Sequence, residues 1–131
     1  MILDHDGTTP IYVQIAQWLE TEILAGRILT DEKVYSQYQL AEMFNINPAT
    51  AAKGLNLLAD EQIVYKKRGL GMFVTAQAQE IILTKRKEQT LKKLVQQLVA
   101  EAKRLHVNED ELISMIQQAS RKGDDDENDS D

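Results

Sequence analysis

The sequence contains no cysteine, only two prolines, and aromatic residues at 5% of its 131 positions. Without cysteine, a disulfide scaffold, a zinc–thiolate site and a cysteine nucleophile are all excluded. No apolar run approaches the roughly 18–20 residues that a membrane span needs. The first ten residues, MILDHDGTTP, lack the basic and apolar regions of a signal peptide. The lack of cysteine fits a reducing cytosol, and the length predicts one domain with an extension.

Residues that could support catalysis are equally scarce. The two histidines, His5 and His106, are far apart in the chain, and neither lies in a polar cluster. The sequence has no nucleophile-elbow, zinc-protease or phosphate-loop pattern. We therefore predict no enzymatic activity, no cofactor, no metal ion and no catalytic residue.

The formal net charge of −6 gives a misleading impression of the whole chain. The last nine residues, GDDDENDSD, contain six of the 21 acidic residues and no basic one, which leaves fifteen of each sign in the rest. We expect residues 123–131 to form a disordered, solvated tail. Net charge is therefore no argument against a nucleic-acid partner, and local clusters carry more information.

The first part of the chain shows three helix starts followed by a hairpin. Thr9 and Pro10 favour a cap and a first turn for a helix over residues 10–25, with a left-handed stop at Gly26. A polar link precedes Ser36, which forms a capping-box pattern with Gln39 at the start of a short helix over residues 36–44.

Pro48 begins a third helix after a tight turn, and the two short helices have the spacing of a helix-turn-helix. Two apolar runs, IVYK and MFVT, then flank the turn KRGLG and predict a β-hairpin. The predicted fold is mainly α with one small hairpin: a winged helix-turn-helix over residues 1–76.

Residues 77–122 are predicted to form a helical dimerisation region. Its first helix has apolar residues stepping by 4, 3, 4 and 3, as in a coiled coil, at Leu91, Val95, Leu98, Ala102 and Leu105. Asn108 and Glu111 form a second capping box, and the last helix presents Leu112 and Ile116 before an expected end at Gly123. Alternatively, the two helices could pack on each other within one protomer.

The third helix and the hairpin hold the candidate DNA contacts. The helix begins with small or polar residues suited to entering a major groove: Asn47, Pro48, Ala49, Thr50 and Lys53. At the hairpin turn, Lys66, Lys67 and Arg68 precede Gly69 and can contact phosphates. Each feature alone has an ordinary explanation, tight packing or a solvated turn, but together they occur where a winged helix touches DNA.

From Pro10 to Val74 the chain resembles the GntR-type winged-helix transcription regulators. The resemblance is carried by PIYVQIAQWLETEILAGRI, SQYQLAEMFNINPATAAKGLNLLADEQIV and YKKRGLGMFV, and NPATAAKGL is most similar to the YtrA-like subfamily. It implies a dimeric bacterial regulator that binds palindromic double-stranded DNA and usually represses, often beside transporter operons. It also implies that a short pair of C-terminal helices dimerises the chain, and it names no small-molecule effector.

The resemblance adds Ser36, Gln37 and Tyr38 to the candidate DNA contacts. Many members have serine-glutamate-arginine at these three positions, and arginines are frequent where Pro48 and Ala52 stand here. Three basic positions are therefore missing, so sequence recognition could depend on DNA shape. This scarcity of charge keeps a second hypothesis open, a winged helix that binds a protein partner instead of specific DNA.

Overall fold

The computed structural model describes residues 3–5 and 7–129, with side chains as far as Asp124. Within these residues, helices α1 to α3 and strands β1 and β2 come first, and three further helices follow. Their bounds are α1 Ile11–Leu24, α2 Gln37–Phe44, α3 Pro48–Asp60, β1 Val64–Lys67, β2 Gly71–Val74, α4 Ala78–Arg86, α5 Lys92–Arg104 and α6 Glu109–Asp129. The predicted fold class is confirmed.

The start of α1 differs in detail from the prediction. Pro10 is the N-cap residue, and no side-chain hydrogen bond caps the helix, so the expected Thr9 cap is wrong. The carbonyl of Thr9 instead accepts a hydrogen bond from the buried Gln14 side chain at 2.9 Å. Gly26 has the predicted left-handed conformation, with φ of +77°.

The core of the winged helix is made by α1, α2, α3, α4 and the hairpin. Apart from Glu20, its largest fully buried side chains are aliphatic and come from every one of these elements: Ile15, Leu19, Ile23, Leu40, Leu58, Ile63, Val64, Val74 and Ile82. Helix α3 lies close to α1 at Gly54, where a Cβ atom would lie 2.8 Å from the carbonyl oxygen of Tyr12. Only glycine permits this distance, so α3 lies directly against the backbone of α1.

The hairpin is joined by a third extended segment that the sequence did not reveal. Strands β1 and β2 pair antiparallel, with Tyr65 opposite Phe73 and Lys66 opposite Met72. The predicted polar link after α1 also pairs with β2: Lys33 bridges to Phe73, and the Val34 amide donates to the Met72 carbonyl at 2.9 Å. The hairpin is thereby fixed to the segment that leads into α2.

Helix α4 belongs with the winged helix. Its Ile82 is fully buried, and the Lys85 ammonium contacts the carboxylates of Glu20 and Glu61, which lie on α1 and at the end of α3. Contacts divide the chain into Met1–Arg86, the winged-helix unit, and Lys87–Asp131, the C-terminal unit. The sequence had placed this boundary after residue 76, before α4.

The first helix of the predicted dimerisation region is divided into α4 and α5 by a π-helical turn at Lys87–Leu91. Helix α5 follows, and His106 turns the chain with φ of +58°. The predicted cap of the next helix is present, since the Glu111 amide donates to Asn108 Oδ1 at 2.9 Å. Helix α6 continues through Gly123 to Asp129, so the expected end at Gly123 is wrong. Of the predicted tail, residues 130–131 lie outside the described part.

Candidate nucleic-acid interface

The two helices of the helix-turn-helix are positioned by their N-terminal caps. Ser36 Oγ accepts from the Gln39 amide at 3.1 Å, and the Gln39 side chain accepts from the Ser36 amide at 2.8 Å. At the start of α3, Asn47 Oδ1 accepts from the Ala49 amide at 2.8 Å. Ser36 and Asn47 were both predicted to contact DNA, and the structure shows that their side-chain oxygens hold the helix starts in place.

The outer face of α3 is small and nearly uncharged. Pro48, Ala49 and Lys53 are exposed and Thr50 is half-buried, whereas the inner face consists of Ala51, Gly54, Leu55 and Leu58. This distribution matches the residues predicted for groove entry. Asn56, one turn beyond Ala52, is also exposed and was absent from the predicted set, although its spacing on the outer face could have identified it.

Lys53, the cation of that outer face, is not free in the folded protein. Its Nζ lies 4.2 Å from the centroid of the Tyr12 ring on α1. An ammonium over an aromatic face is attracted by the ring quadrupole, which restrains a flexible side chain while leaving its other side open to a ligand. Sequence spacing alone could not have placed Tyr12 beside Lys53, because the two residues come from different helices.

The alternating faces of the hairpin separate its two lysines. Lys66 shares a face with Met72 and with the buried Val64, whereas Lys67 lies on the opposite face with its Nζ 4.6 Å from the Phe73 ring centroid. Tyr65 is on that second face and donates a hydrogen bond to Asp31 Oδ1 at 2.9 Å. This hydrogen bond raises the pKa of Tyr65 and ties β1 to the segment after α1.

A groove of about 460 Å³ collects residues from α2, α3, the hairpin and the segment before α2. Its lining consists of Lys33, Val34, Tyr35, Ser36, Gln37, Tyr38, Ala52, Leu55, Asn56, Lys66, Gly69, Leu70, Gly71 and Met72. The structure thus brings the predicted Ser36, Gln37 and Tyr38 together with the predicted Gly69. The other predicted contacts, from Asn47 to Thr50 and Lys53 on α3 and Lys67 and Arg68 on the hairpin, lie outside this lining.

The groove contains two lysines, of which Lys66 was among the candidate phosphate contacts of the hairpin and Lys33 was not. Lys33 reaches it because its segment pairs with β2, a pairing that no sequence motif announces. Lys66 reaches it because it shares the inner face of β1 with Val64. The period of two along a strand places Lys66 on the same face as the buried Val64. The groove therefore has positive charge at two of its edges, with Tyr38 and Asn56 as hydrogen-bonding groups.

The C-terminal unit exposes the residues that were predicted to dimerise. Leu91, Val95, Leu98 and Leu105 are 42–65% exposed, Ile116 is 50% exposed, Leu112 is half-buried and Ala102 is buried. Further apolar side chains on the same helices are also exposed and had not been included: Leu94, Val99, Ile113 and Met115. The single chain leaves a large part of this apolar surface uncovered.

The described part of the chain gives little support for a metal site or a membrane-spanning helix. Among the described residues, no group of three or more His, Asp and Glu side chains could hold a metal ion. No helix found there combines the length and the apolar character that crossing a membrane requires.

The winged-helix unit matches a known family. The family model described as "Bacterial regulatory proteins, gntR family" matches residues 11–74. The repressor YtrA of Bacillus subtilis is 30% identical over 118 residues, which are 90% of each chain. The repressor NagR of the same organism is 33% identical over 75 residues, and there the chain spans only 31% of the relative's length.

Solved structures agree with the sequence relatives. A putative GntR-family transcriptional regulator from Bacteroides thetaiotaomicron superposes with a TM-score of 0.72 at 28% identity, covering 86% of this chain and 98% of that one. BusR of S. agalactiae, in complex with its busAB-promotor DNA, has a TM-score of 0.57 at 28% identity, covering 88% of this chain and 57% of that one. With its capped helix-turn-helix and hairpin wing, and with YtrA matching 90% of its length, this chain belongs to the gntR family of bacterial DNA-binding transcriptional regulators.

Proposed function

We propose that the protein is a homodimeric repressor that binds an inverted-repeat operator in bacterial DNA and acts in the cytoplasm. The observation that carries this proposal is the groove, in which the start of α2, one flank of α3 and the wing converge on one surface. In a winged helix, these three elements reach the major groove and the adjacent phosphates of the same DNA segment.

In this arrangement α3 lies in the major groove with its N-terminal turn nearest the base edges. Ala49 and Thr50 permit a close approach, and Asn56 can offer its amide to an adenine edge. Tyr38, which is 69% exposed, can donate its hydroxyl to a phosphate. Lys33 and Lys66 supply positive charge where the wing would meet the DNA backbone.

The uncovered apolar side chains of α5 and α6 support the homodimer. Monomeric soluble proteins rarely expose a large contiguous apolar patch, and such patches commonly mark interaction surfaces. Two-fold pairing through these helices predicts an inverted repeat whose half-site centres lie about 34–36 Å apart, one turn of the duplex. The names of YtrA and NagR as repressors, and the promoter complex of BusR, are consistent with this proposal.

The decisive experiment is selection of binding sites from random double-stranded DNA by the purified protein. We expect enrichment of a single inverted repeat, with transporter operons the first genomic regions to search for it. Failure to enrich any sequence, together with retention only by a protein partner, would instead support a winged helix that serves protein interaction.

The wing's share of binding can be measured as a salt dependence. Arg68→Ala and Lys66→Ala should each weaken operator binding and lower the slope of log Kd against log salt by about 1, the contribution of one phosphate contact. Lys122→Ala removes an exposed lysine of α6 and is the matched control, for which we expect an unchanged slope. Equal slopes for all three variants would contradict the assignment of the wing to the DNA backbone.

A further inference from the structure

The tip of the wing presents one apolar side chain to solvent. Strands β1 and β2 are joined by Arg68, Gly69 and Leu70, and the Leu70 amide closes the turn by donating to the Lys67 carbonyl at 2.9 Å. Leu70 is 62% exposed, among the highest fractions of the large apolar side chains of the winged-helix unit. A two-stranded hairpin needs no leucine at this position for folding, because turns favour glycine and polar residues.

The turn is narrow on both sides of Leu70. Gly69 and Gly71 have φ of +77° and +115°, which strongly favour glycine. A Cβ atom at Gly71 would lie 2.7 Å from Lys33 Cε, whereas at Gly69 it would meet nothing within 4 Å. Leu70 therefore projects between two positions without side chains, with the Lys33 side chain close to the second of them.

Basic residues neighbour this apolar side chain, in the groove and along the turn. Lys66 and Leu70 both line the groove, and Lys67 and Arg68 precede the tip. An apolar side chain framed by cations suits a ligand with an apolar interior between two anionic rims. A DNA minor groove has this character, since phosphates flank the stacked bases. Binding to an apolar protein surface would be unfavourable, because three cations would lie at the rim of the contact.

We propose that Leu70 is a wedge that enters the minor groove of the operator and partly unstacks a flexible pyrimidine–purine step. The inference rests on the proposed DNA-binding function and adds a specificity-determining residue to it. Proteins that insert apolar side chains into the minor groove kink the duplex, and pyrimidine–purine steps deform most easily. Leu70 thus gives the chain a way to select sequence through deformability, which its sparsely charged α3 does not supply.

The test uses the full chain and the operator obtained by selection, with the step facing the wing present as TA or replaced by AA. Fluorescence anisotropy gives Kd, and 2-aminopurine placed at the step reports unstacking. We expect the wild-type protein to prefer TA by about tenfold, the effect of one unfavourable base pair, and to raise the 2-aminopurine fluorescence. Leu70→Met, which keeps an apolar side chain, should retain both effects.

Leu70→Ala should lose the TA preference and the fluorescence increase while keeping the wild-type salt slope. Arg68→Ala is the converse control, for which we expect a lower salt slope and an unchanged preference for TA. Circular dichroism verifies that Leu70→Ala remains folded, as expected for a side chain on the surface. A Leu70→Ala variant that still prefers TA and still unstacks the step would overturn the wedge. If the wild-type protein binds no duplex sequence at all, the proposed function fails, and the wedge with it.

Discussion

The two units of the chain differ in how far they bury their apolar side chains. In the winged-helix unit, α1 to α4 bury most of their aliphatic side chains: Ile15, Leu58 and Ile82 are each 0% exposed, and Leu83, at 57%, is an exception. In the C-terminal unit, α5 alone exposes Leu94, Val95, Leu98 and Val99 to 39–54%. Burial of apolar surface drives folding and association. The first unit completes its core within one chain, whereas the second leaves apolar surface exposed that is available for association.

Introducing a charge into the exposed apolar surface should have the largest effect. Val95→Glu would force a carboxylate into the proposed dimer contact, so we expect the dimer to dissociate. Loss of simultaneous binding to two half-sites should then lower operator affinity by about 100-fold or more. Sedimentation velocity and fluorescence anisotropy measure the two effects.

Gln96→Glu is the control for this variant, because it adds the same charge to the same helix away from the apolar stripe. It should leave both assembly and affinity close to wild type. A Val95→Glu protein that sediments as a dimer would refute the pairing surface. A wild-type protein that is already monomeric would favour packing of the two helices within one protomer.

The stability of the winged-helix unit depends partly on one buried ion network. Glu20 is 1% exposed and contacts both Lys85 and Arg86, the latter at 3.4 Å. Lys85→Met would leave this buried carboxylate with Arg86 alone, at a cost of about 3 kcal/mol in the free energy of unfolding. For a unit of this size, the melting temperature should fall by more than about 10 °C.

Arg27→Met is the matched control for the ion network. It removes the pair with Glu22, in which the Arg27 side chain is 60% exposed, and it should leave the melting temperature nearly unchanged. Thermal unfolding followed by circular dichroism compares the two variants. Equal melting temperatures would mean that the Lys85 network does not secure α4 to the winged helix.

The same network predicts a pH dependence. Burial acts to lower the pKa of Lys85, but hydrogen bonds and attraction from Glu20 and Glu61 outweigh it, and its pKa is raised above 10.5. A raised pKa in the folded state means that the contribution of Lys85 is complete below pH 10.5 and is lost as the pH rises further. The difference in stability between wild type and Lys85→Met should therefore be constant at neutral pH and shrink only above that value.

The smallest predicted effect concerns the arrangement of Lys53 over Tyr12. Tyr12→Leu would release the ammonium, and the loss of an exposed cation–π contact of about 0.5–1 kcal/mol should weaken operator binding about two- to fivefold. Tyr12→Phe keeps the ring and should bind like wild type. In a Lys53→Ala background, Tyr12→Leu should have no effect on operator binding. If Tyr12→Leu alone binds the operator more tightly, the ring instead keeps Lys53 from contacting DNA.

The local parts of the winged helix were predictable because each depends on neighbours in sequence. The Ser36–Gln39 capping box, the left-handed Gly26 and the hairpin around Gly69 occur where short-range patterns place them. What the sequence hid depends on distant partners. Pairing of Lys33 with β2 and attachment of α4 through Lys85 both join residues far apart in the chain, so no local pattern could indicate them.

The candidate site shows the same division between local and distant contacts. The outward position of Ala49 and Lys53 follows from helical periodicity, which the sequence displays. The separation of Lys66 from Lys67 requires knowing which face of β1 is buried. The placement of Lys33 in the groove requires the complete sheet. Sequence patterns therefore placed the candidate residues on α2, α3 and the hairpin, but they could not show which of them share one groove.

The close approach at Gly54 gives the protein an indirect control over DNA recognition. A Cβ atom at position 54 would lie 2.8 Å from the carbonyl oxygen of Tyr12, so the inner surface of α3 has no room for a side chain there. Any larger residue would push α3 outward or tilt it, and Ala49 and Thr50 would then meet a base edge at a different depth. Operator preference could thus change through a buried position that never touches DNA, while every side chain facing the groove stays the same.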